Sequence, residues 1–153
     1  MALSQFGYLL IPSSFERSRT RFEGAEQIVP PEINLLFRTD LLYLPSISRY
    51  VLTMNGSRFM VLPPEEAVQA KLAKPFENSA PAYDPPYHFG KKFEKVLIIG
   101  PAGGKNVLSA LAFGASSIVG VDINPAVFHF LKDQRPDLIS NMYLDPRVET
   151  VRM

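Results

Sequence analysis

Two features of this sequence combine residue types and spacing suited to holding a small molecule. One is the glycine-rich run Gly100-Pro101-Ala102-Gly103-Gly104, directly after the apolar Val96-Leu97-Ile98-Ile99. The other is Asp122, 22 positions after Gly100 and at the end of a second apolar run, Ser117 to Val121. Glycine lets a backbone curl sharply and lets a ligand approach without meeting a Cβ. A carboxylate at that spacing can accept hydrogen bonds from both hydroxyls of an adenosine ribose. The expected ligand is therefore a small adenosine-containing molecule. The same residues show no nucleophile paired with a base, and they assign no catalytic residue.

Three ligand classes compete for such a turn. A P-loop for ATP needs glycine five residues before Gly104, where Ile99 stands, and Ser or Thr after the lysine, where Asn106 stands. The G-x-G-x-x-G fingerprint of NAD sites also fits poorly, because Ala102 follows Gly100 by two positions and Lys105 holds the third glycine position. S-adenosylmethionine or a close relative fits best: it asks for a glycine turn and a ribose acid, without a pyrophosphate cradle. An NAD-linked oxidoreductase survives only on the glycine turn.

The elements that must position these residues are legible around them. Val96 to Ile99, preceded by Lys91, Lys92, Glu94 and Lys95, reads as a strand buried on both faces, as in a parallel sheet. Asn106 to Phe113 reads as a helix with Val107, Leu108, Leu111 and Ala112 inward and its unpaired N–H groups toward the ligand. Gly114 suits the left-handed residue after that helix. Ser117 to Val121 is a second strand, Asn124 caps a further helix opened by Pro125, Ala126 to Asp133 continues it, Pro136 bounds it, and Arg147 to Val151 is a third strand.

The earlier part of the chain is less regular. Ten of the 14 prolines precede Val96, which separates an irregular first part from a regular α/β second part. Phe6 to Ile11 could be a short strand, and Arg17, Arg19 and Arg21 read as a solvated surface stretch. Ile33 to Phe37 and Leu41 to Leu44 could each be a strand or a helical turn. Asn55-Gly56 is a type I′ pair, and pairing outward from it sets Leu52 against Phe59 and Tyr50 against Val61 in a β-hairpin. Glu65 to Leu72 reads as a short helix after Pro63-Pro64, and Lys74 to Lys92 as a linker or surface loop. His88 and His129 read as surface residues.

Composition excludes several classes. With 46% hydrophobic and 20% charged residues the chain can bury a core. A net charge of +1 gives no electrostatic case for nucleic acid or an acidic membrane. Without cysteine there is no disulfide, thiolate metal site or cysteine nucleophile, and no metal site is expected. Met1 to Phe15 lacks a basic start, is broken by Pro12 and is too short to span a bilayer, so a cytoplasmic protein is expected.

The stretches VLIIGPAGGKNVLSALAFGA, VGVDINP and LDPRVETV resemble the spermidine synthase-like branch of the S-adenosylmethionine-dependent transferase superfamily. The hairpin is similar to the small β-rich region that precedes the Rossmann-like domain there. The resemblance implies an α/β fold: the N-terminal half of a Rossmann-like parallel sheet in a three-layer αβα arrangement, preceded by a β-hairpin region. Residues 1–45 are unassigned, 46–92 carry the hairpin and proline-rich linker, and 93–153 the partial Rossmann-like domain. It places Gly100, Ala102, Gly103 and Gly104 around the methionine part and ribose, Asp122 on the ribose hydroxyls and Ile123 beside the adenine. The implied cofactor is S-adenosylmethionine or its decarboxylated form, used as substrate.

Three departures stand out. Ala102 replaces the commonest glycine of the turn. Tyr87-His88 is similar to a tyrosine–histidine pair of spermidine synthases but lies only eight residues before Val96, too close for a polyamine role to be carried over. The acid that meets the adenine amino group and the fourth strand with its catalytic aspartate lie beyond the family's third strand, and this sequence contains neither. The expectation is a cofactor-binding part that is catalytically incomplete as given. One edge of Val96 to Ile99 then needs a cover: Ile33 to Phe37, Leu41 to Leu44, a second copy of the chain, or a further C-terminal portion. The alternative is a non-catalytic binding or assembly module that forms a homodimer through that edge.

Overall fold

The computed structural model describes residue 22 and residues 24–55, 58–89 and 93–153. The readings of Phe6 to Ile11, of Arg17, Arg19 and Arg21, of Gly56 and of Lys91-Lys92 lie outside the described residues. The chain divides between Val61 and Leu62 into two units.

The first unit is an antiparallel sheet. Its long strand β3 (Arg38–Leu44) pairs with β1 (Glu26–Gln27) and β2 (Glu32–Ile33) along one side and with β4 (Arg49–Met54) on the other, and β5 (Arg58–Val61) follows β4. Among the described residues, Leu41, Leu44, Val51 and Leu52 are its buried apolar side chains. Leu41 to Leu44 is thus strand. Most of Ile33 to Phe37 is a turn in which the Asn34 side chain accepts the N–H groups of Leu36 and Phe37 at 2.9 and 2.8 Å.

The expected hairpin forms, with a register one residue from expectation. Leu52 faces Met60 and Val61 faces Val51, because Met54 pairs with Arg58 and three residues form the loop. The cause lies outside the hairpin. Asn55, at φ 50°, accepts the Arg38 N–H on its side chain at 2.7 Å, and its own N–H reaches the Arg38 carbonyl at 2.8 Å. That tie to β3 fixes where β4 ends. A slip of one residue exchanges the two faces of a strand, so the turn pair alone could not settle the pairing.

The second unit begins with α1 (Glu65–Ala73), entered through Pro63-Pro64 with Glu65 and Glu66 in its first turn, where acids suit the helix dipole. Its three-stranded parallel sheet runs β6 (Lys95–Ile99), β7 (Ser117–Asp122), β8 (Val148–Arg152). Between β6 and β7 comes α2 (Lys105–Ala112), and between β7 and β8 comes α3 (Pro125–Phe128), continued by a wider π-type turn, His129–Gln134. Gly114 adopts φ 83° after α2, and Asn124 caps α3 by accepting the Ala126 N–H at 3.2 Å.

The sheet is two-sided in character. Val96, Ile98, Ile118, Gly120 and Val148 share the more buried face, whereas Leu97 and Ile99 on the opposite face are 65% and 79% exposed. This corrects the reading of Val96 to Ile99 as buried on both faces: a continuous apolar run does not say how many faces are covered. Leu41 to Leu44 pairs within the antiparallel sheet, as does Ile33, and among the described residues β6 pairs with β7 alone.

Residues 74–89 are held to the helices by a buried ion pair. The Lys71 ammonium bonds the Asp84 carboxylate and the carbonyls of Pro75 and Asn78 at 3.1 and 3.0 Å. Asp84 also accepts the Ser109 hydroxyl of α2 at 2.6 Å and the Ala80 N–H at 2.5 Å. That is why Ser109 is buried on α2 while Ala112 is only half-buried. Above this node Tyr87 stacks on Phe113 at 5.0 Å, with Phe76 and His88 against the same ring. Among the described residues no helix is long and apolar enough to cross a membrane, and no acid–histidine cluster could hold a metal ion.

Candidate functional site

The strand register brings the turn and the acid together. Ile99 pairs with Val121, and the Gly100 N–H continues the ladder to the Val121 carbonyl at 2.8 Å. Gly100 therefore leaves β6 beside the point where Asp122 ends β7. The turn closes with the Gly104 N–H on the Pro101 carbonyl at 2.9 Å, and α2 starts at the next residue.

Three residues of the turn have positive φ: Gly100 at 69°, Ala102 at 47° and Gly104 at 81°. Glycine accepts this region freely, but alanine does so only under strain. Ala102 is held there by a bond that nothing in the sequence indicates. Tyr143, fully buried, donates its hydroxyl to the Ala102 carbonyl at 2.6 Å. Burial pushes the Tyr143 phenol far above its ordinary value and the Asp122 charge adds to the effect, so Tyr143 keeps its proton and donates at any physiological pH. At Gly104 a Cβ would lie 3.0 Å from the Met142 methyl, and at Gly120 it would lie 3.2 Å from the Pro101 ring. Protein packing thus favours glycine at both positions, and at Gly104 the positive φ does so as well.

Asp122 is 6% exposed, which excludes a merely solvent-facing role. One carboxylate oxygen accepts the Asn124 N–H at 2.9 Å, and the other takes no bond from the described residues. The carboxylate is thus oriented and half-occupied. A fixed acceptor of this kind beside a glycine turn suits a diol. Ile123, the next residue, is 54% exposed at the same strand end.

A groove of about 450 Å³ runs along the free edge of β6, with Tyr83, Tyr87 and Phe93 as its aromatic wall and Lys95, Ile99 and Asn106 among its other lining residues. Sequence reasoning placed none of these in the site except through the strand itself. His88 bonds Ser79 at 3.1 Å, and His129 lies 3.5 Å from Asp133, with Gln134 on its ring. Both histidines keep to their own surface clusters. No described residue of the turn is poised as a general base.

No family model matches the chain, and no curated protein matches it. Solved structures do. Spermidine synthase from Thermotoga maritima superposes with a TM-score of 0.56 at 19% identity over 83% of this chain, and a spermidine synthase in complex with the transition state analogue AdoDATO superposes equally well. The chain spans 41% and 40% of the length of those two proteins. The chain thus has a spermidine synthase-like fold, over the part of it that these residues form.

Proposed function

We propose that this chain is the cofactor-binding part of a spermidine synthase-like transferase that uses S-adenosylmethionine or its decarboxylated form. The single observation that carries the reading is Asp122: buried, fixed through one oxygen, without a partner on the other among the described residues, and set beside the Gly100–Gly104 turn. In this reading Asp122 takes the ribose hydroxyls, the turn lies under the sulfur-bearing arm, and Ile123 flanks the adenine. When bound, the cofactor supplies a sulfonium electrophile for aminopropyl or methyl transfer to an amine. The chain's own residues contribute orientation, which can supply a large part of such a rate. The fold likeness and the AdoDATO-bound neighbour support the ligand class.

Calorimetric titration tests this. S-adenosylhomocysteine is expected to bind, and Asp122→Asn to weaken it by at least about tenfold, as fits a lost charge-assisted hydrogen-bond pair. Preference for NAD, or no binding of any adenosine ligand, would overturn it.

One observation favours a second reading, a non-catalytic assembly module. The β6 edge is unpaired among the described residues and flanked by exposed Leu97 and Ile99, and an apolar open edge is a template for another strand.

A further inference from the structure

We infer that the second unit carries a separate cavity for a small uncharged molecule with a short apolar body and an amide or alcohol end, and that its occupancy is coupled to the Gly100–Gly104 turn. The inference goes beyond the reading just proposed and rests on it only where an adenosine ligand serves as a readout.

The cavity measures about 220 Å³ and shares no lining residue with the β6 groove or the turn. Its walls are α1, α2 and the segment from Ser140 to Arg147 that leads into β8. That volume equals roughly seven waters and lies below the roughly 300–1,000 Å³ of sites for drug-sized ligands, so the guest is smaller than an adenosine. Val68 and Leu72 of α1, Leu111 of α2 and Leu144 make the body of the cavity apolar.

Its polar end is built from groups left without partners. The Ser140 hydroxyl is buried and has no hydrogen-bond partner among the described residues, a state that folded proteins rarely leave unanswered. The Asn141 side-chain amide likewise has none among them. Arg147 bonds the Asp145 carboxylate through Nε and one amino group, and its other amino group takes no partner among the described residues. Because Arg147 and Asp145 neutralise each other, the lining favours neither an anion nor a cation. A hydroxyl and an amide both donate and accept, which suits an uncharged guest whose end does the same.

The same segment supports the turn. Ser140 at φ 51° and Asn141 at φ 58° are successive left-handed residues, a conformation that a Cβ disfavours, and strain of this kind collects at ligand clamps and switches. They lead straight into the helical turn Met142–Leu144. Met142 lines the cavity, and its methyl is the group that a Cβ at Gly104 would meet at 3.0 Å. Tyr143, next in the chain, holds the Ala102 carbonyl at 2.6 Å. A guest that fixes Ser140 to Met142 therefore steadies both contacts to the turn, so that binding at the cavity and binding at the turn strengthen each other.

The test uses the full chain with hexanamide, hexanoate and hexylamine, which share one chain length and differ in the charge of the end. In NMR titrations hexanamide is expected to give saturable shifts at Val68, Leu111 and residues 140–147 with a Kd of about 1 mM. It is expected to bind at least about fivefold tighter than either charged probe and to shift the amides of Ala102, Gly103 and Gly104. In saturating hexanamide, S-adenosylhomocysteine is expected to bind roughly fivefold tighter. Leu72 is 38% exposed on the cavity wall, and Leu72→Trp fills the space. With circular dichroism unchanged, this variant is expected to lose the hexanamide shifts and the effect of hexanamide on S-adenosylhomocysteine. Absence of saturable shifts at the cavity, shifts that persist in Leu72→Trp, or a charged probe bound as tightly as hexanamide overturns the binding site. Cavity shifts that stop short of Ala102 to Gly104 overturn the coupling. If hexanamide binds and S-adenosylhomocysteine does not, the adenosine reading falls while the cavity stands, and the shifts at the turn alone decide the coupling.

Discussion

At the scale of single residues, Ala102 and Tyr143 are one device. The alanine is strained at φ 47°, and the buried hydroxyl of Tyr143 holds its carbonyl at 2.6 Å. Tyr143→Phe removes the bond without leaving a cavity. It is expected to lower stability by about 1 kcal/mol in urea unfolding and to weaken S-adenosylhomocysteine several-fold as the turn loosens. The same change with unaltered ligand binding would show that the turn needs no such support. Asp122 was legible in the sequence because its position at a strand end follows from the strand, and the ladder then sets it beside Gly100. Tyr143 was not, since it lies 41 residues from Ala102 in a stretch with no pattern of its own. Lys105 was read in the sequence only as a departure from the NAD fingerprint, and its place 6.0 Å from the Tyr83 ring emerges once residues 74–89 are folded back against α2.

At the scale of elements, the ion pair of Lys71 and Asp84 joins α1, α2 and the proline-rich segment. Burial alone would raise the Asp84 carboxyl, but its bonds to Lys71, Ser109 and Ala80 outweigh that and hold it below the ordinary aspartate value. A carboxylate depressed in the folded state binds protons more readily when unfolded. Its contribution is therefore complete above the unfolded value, about pH 4, and is lost as pH falls through the folded one. Lys71→Met leaves the carboxylate buried without its cation, and thermal unfolding at pH 7 is expected to show a loss of about 3–5 kcal/mol. Because this variant can take up a proton on Asp84 while folded, its stability is expected to fall less steeply than that of the unaltered chain between pH 5 and 3. A parallel fall in both proteins would rule out Asp84 as the acid-sensitive group. Local signals carried the elements well: Asn124 and Pro125 opened α3, Gly114 closed α2, and the glycine turn joined β6 to α2. What they could not carry was pairing. The hairpin register depends on Asn55 meeting Arg38, 17 residues away, and the exposure of Leu97 and Ile99 depends on what lies over the sheet.

At the scale of the whole molecule, the sheet edge decides between the readings of function. Pairing of β6 with β6 of a second copy is expected to give a dimer in sedimentation, slow amide exchange over Val96 to Ile99, and a monomer in Leu97→Lys. A monomer with fast exchange in that strand removes the assembly reading and leaves ligand binding as the function to test. The parallel register has a further consequence during synthesis. Lys95 pairs with Ser117, roughly 20 positions on, and Ile118 with Val148, about 30 positions on. At about 5–20 residues per second, Lys-Val-Leu-Ile-Ile leaves the ribosome at least a second or more ahead of its first neighbour. Throughout that interval both of its edges are bare, and nascent chains sharing a transcript have the same apolar segment in reach of one another. Slower translation between codons 100 and 117 is expected to lengthen that exposure and to lower the yield of soluble protein.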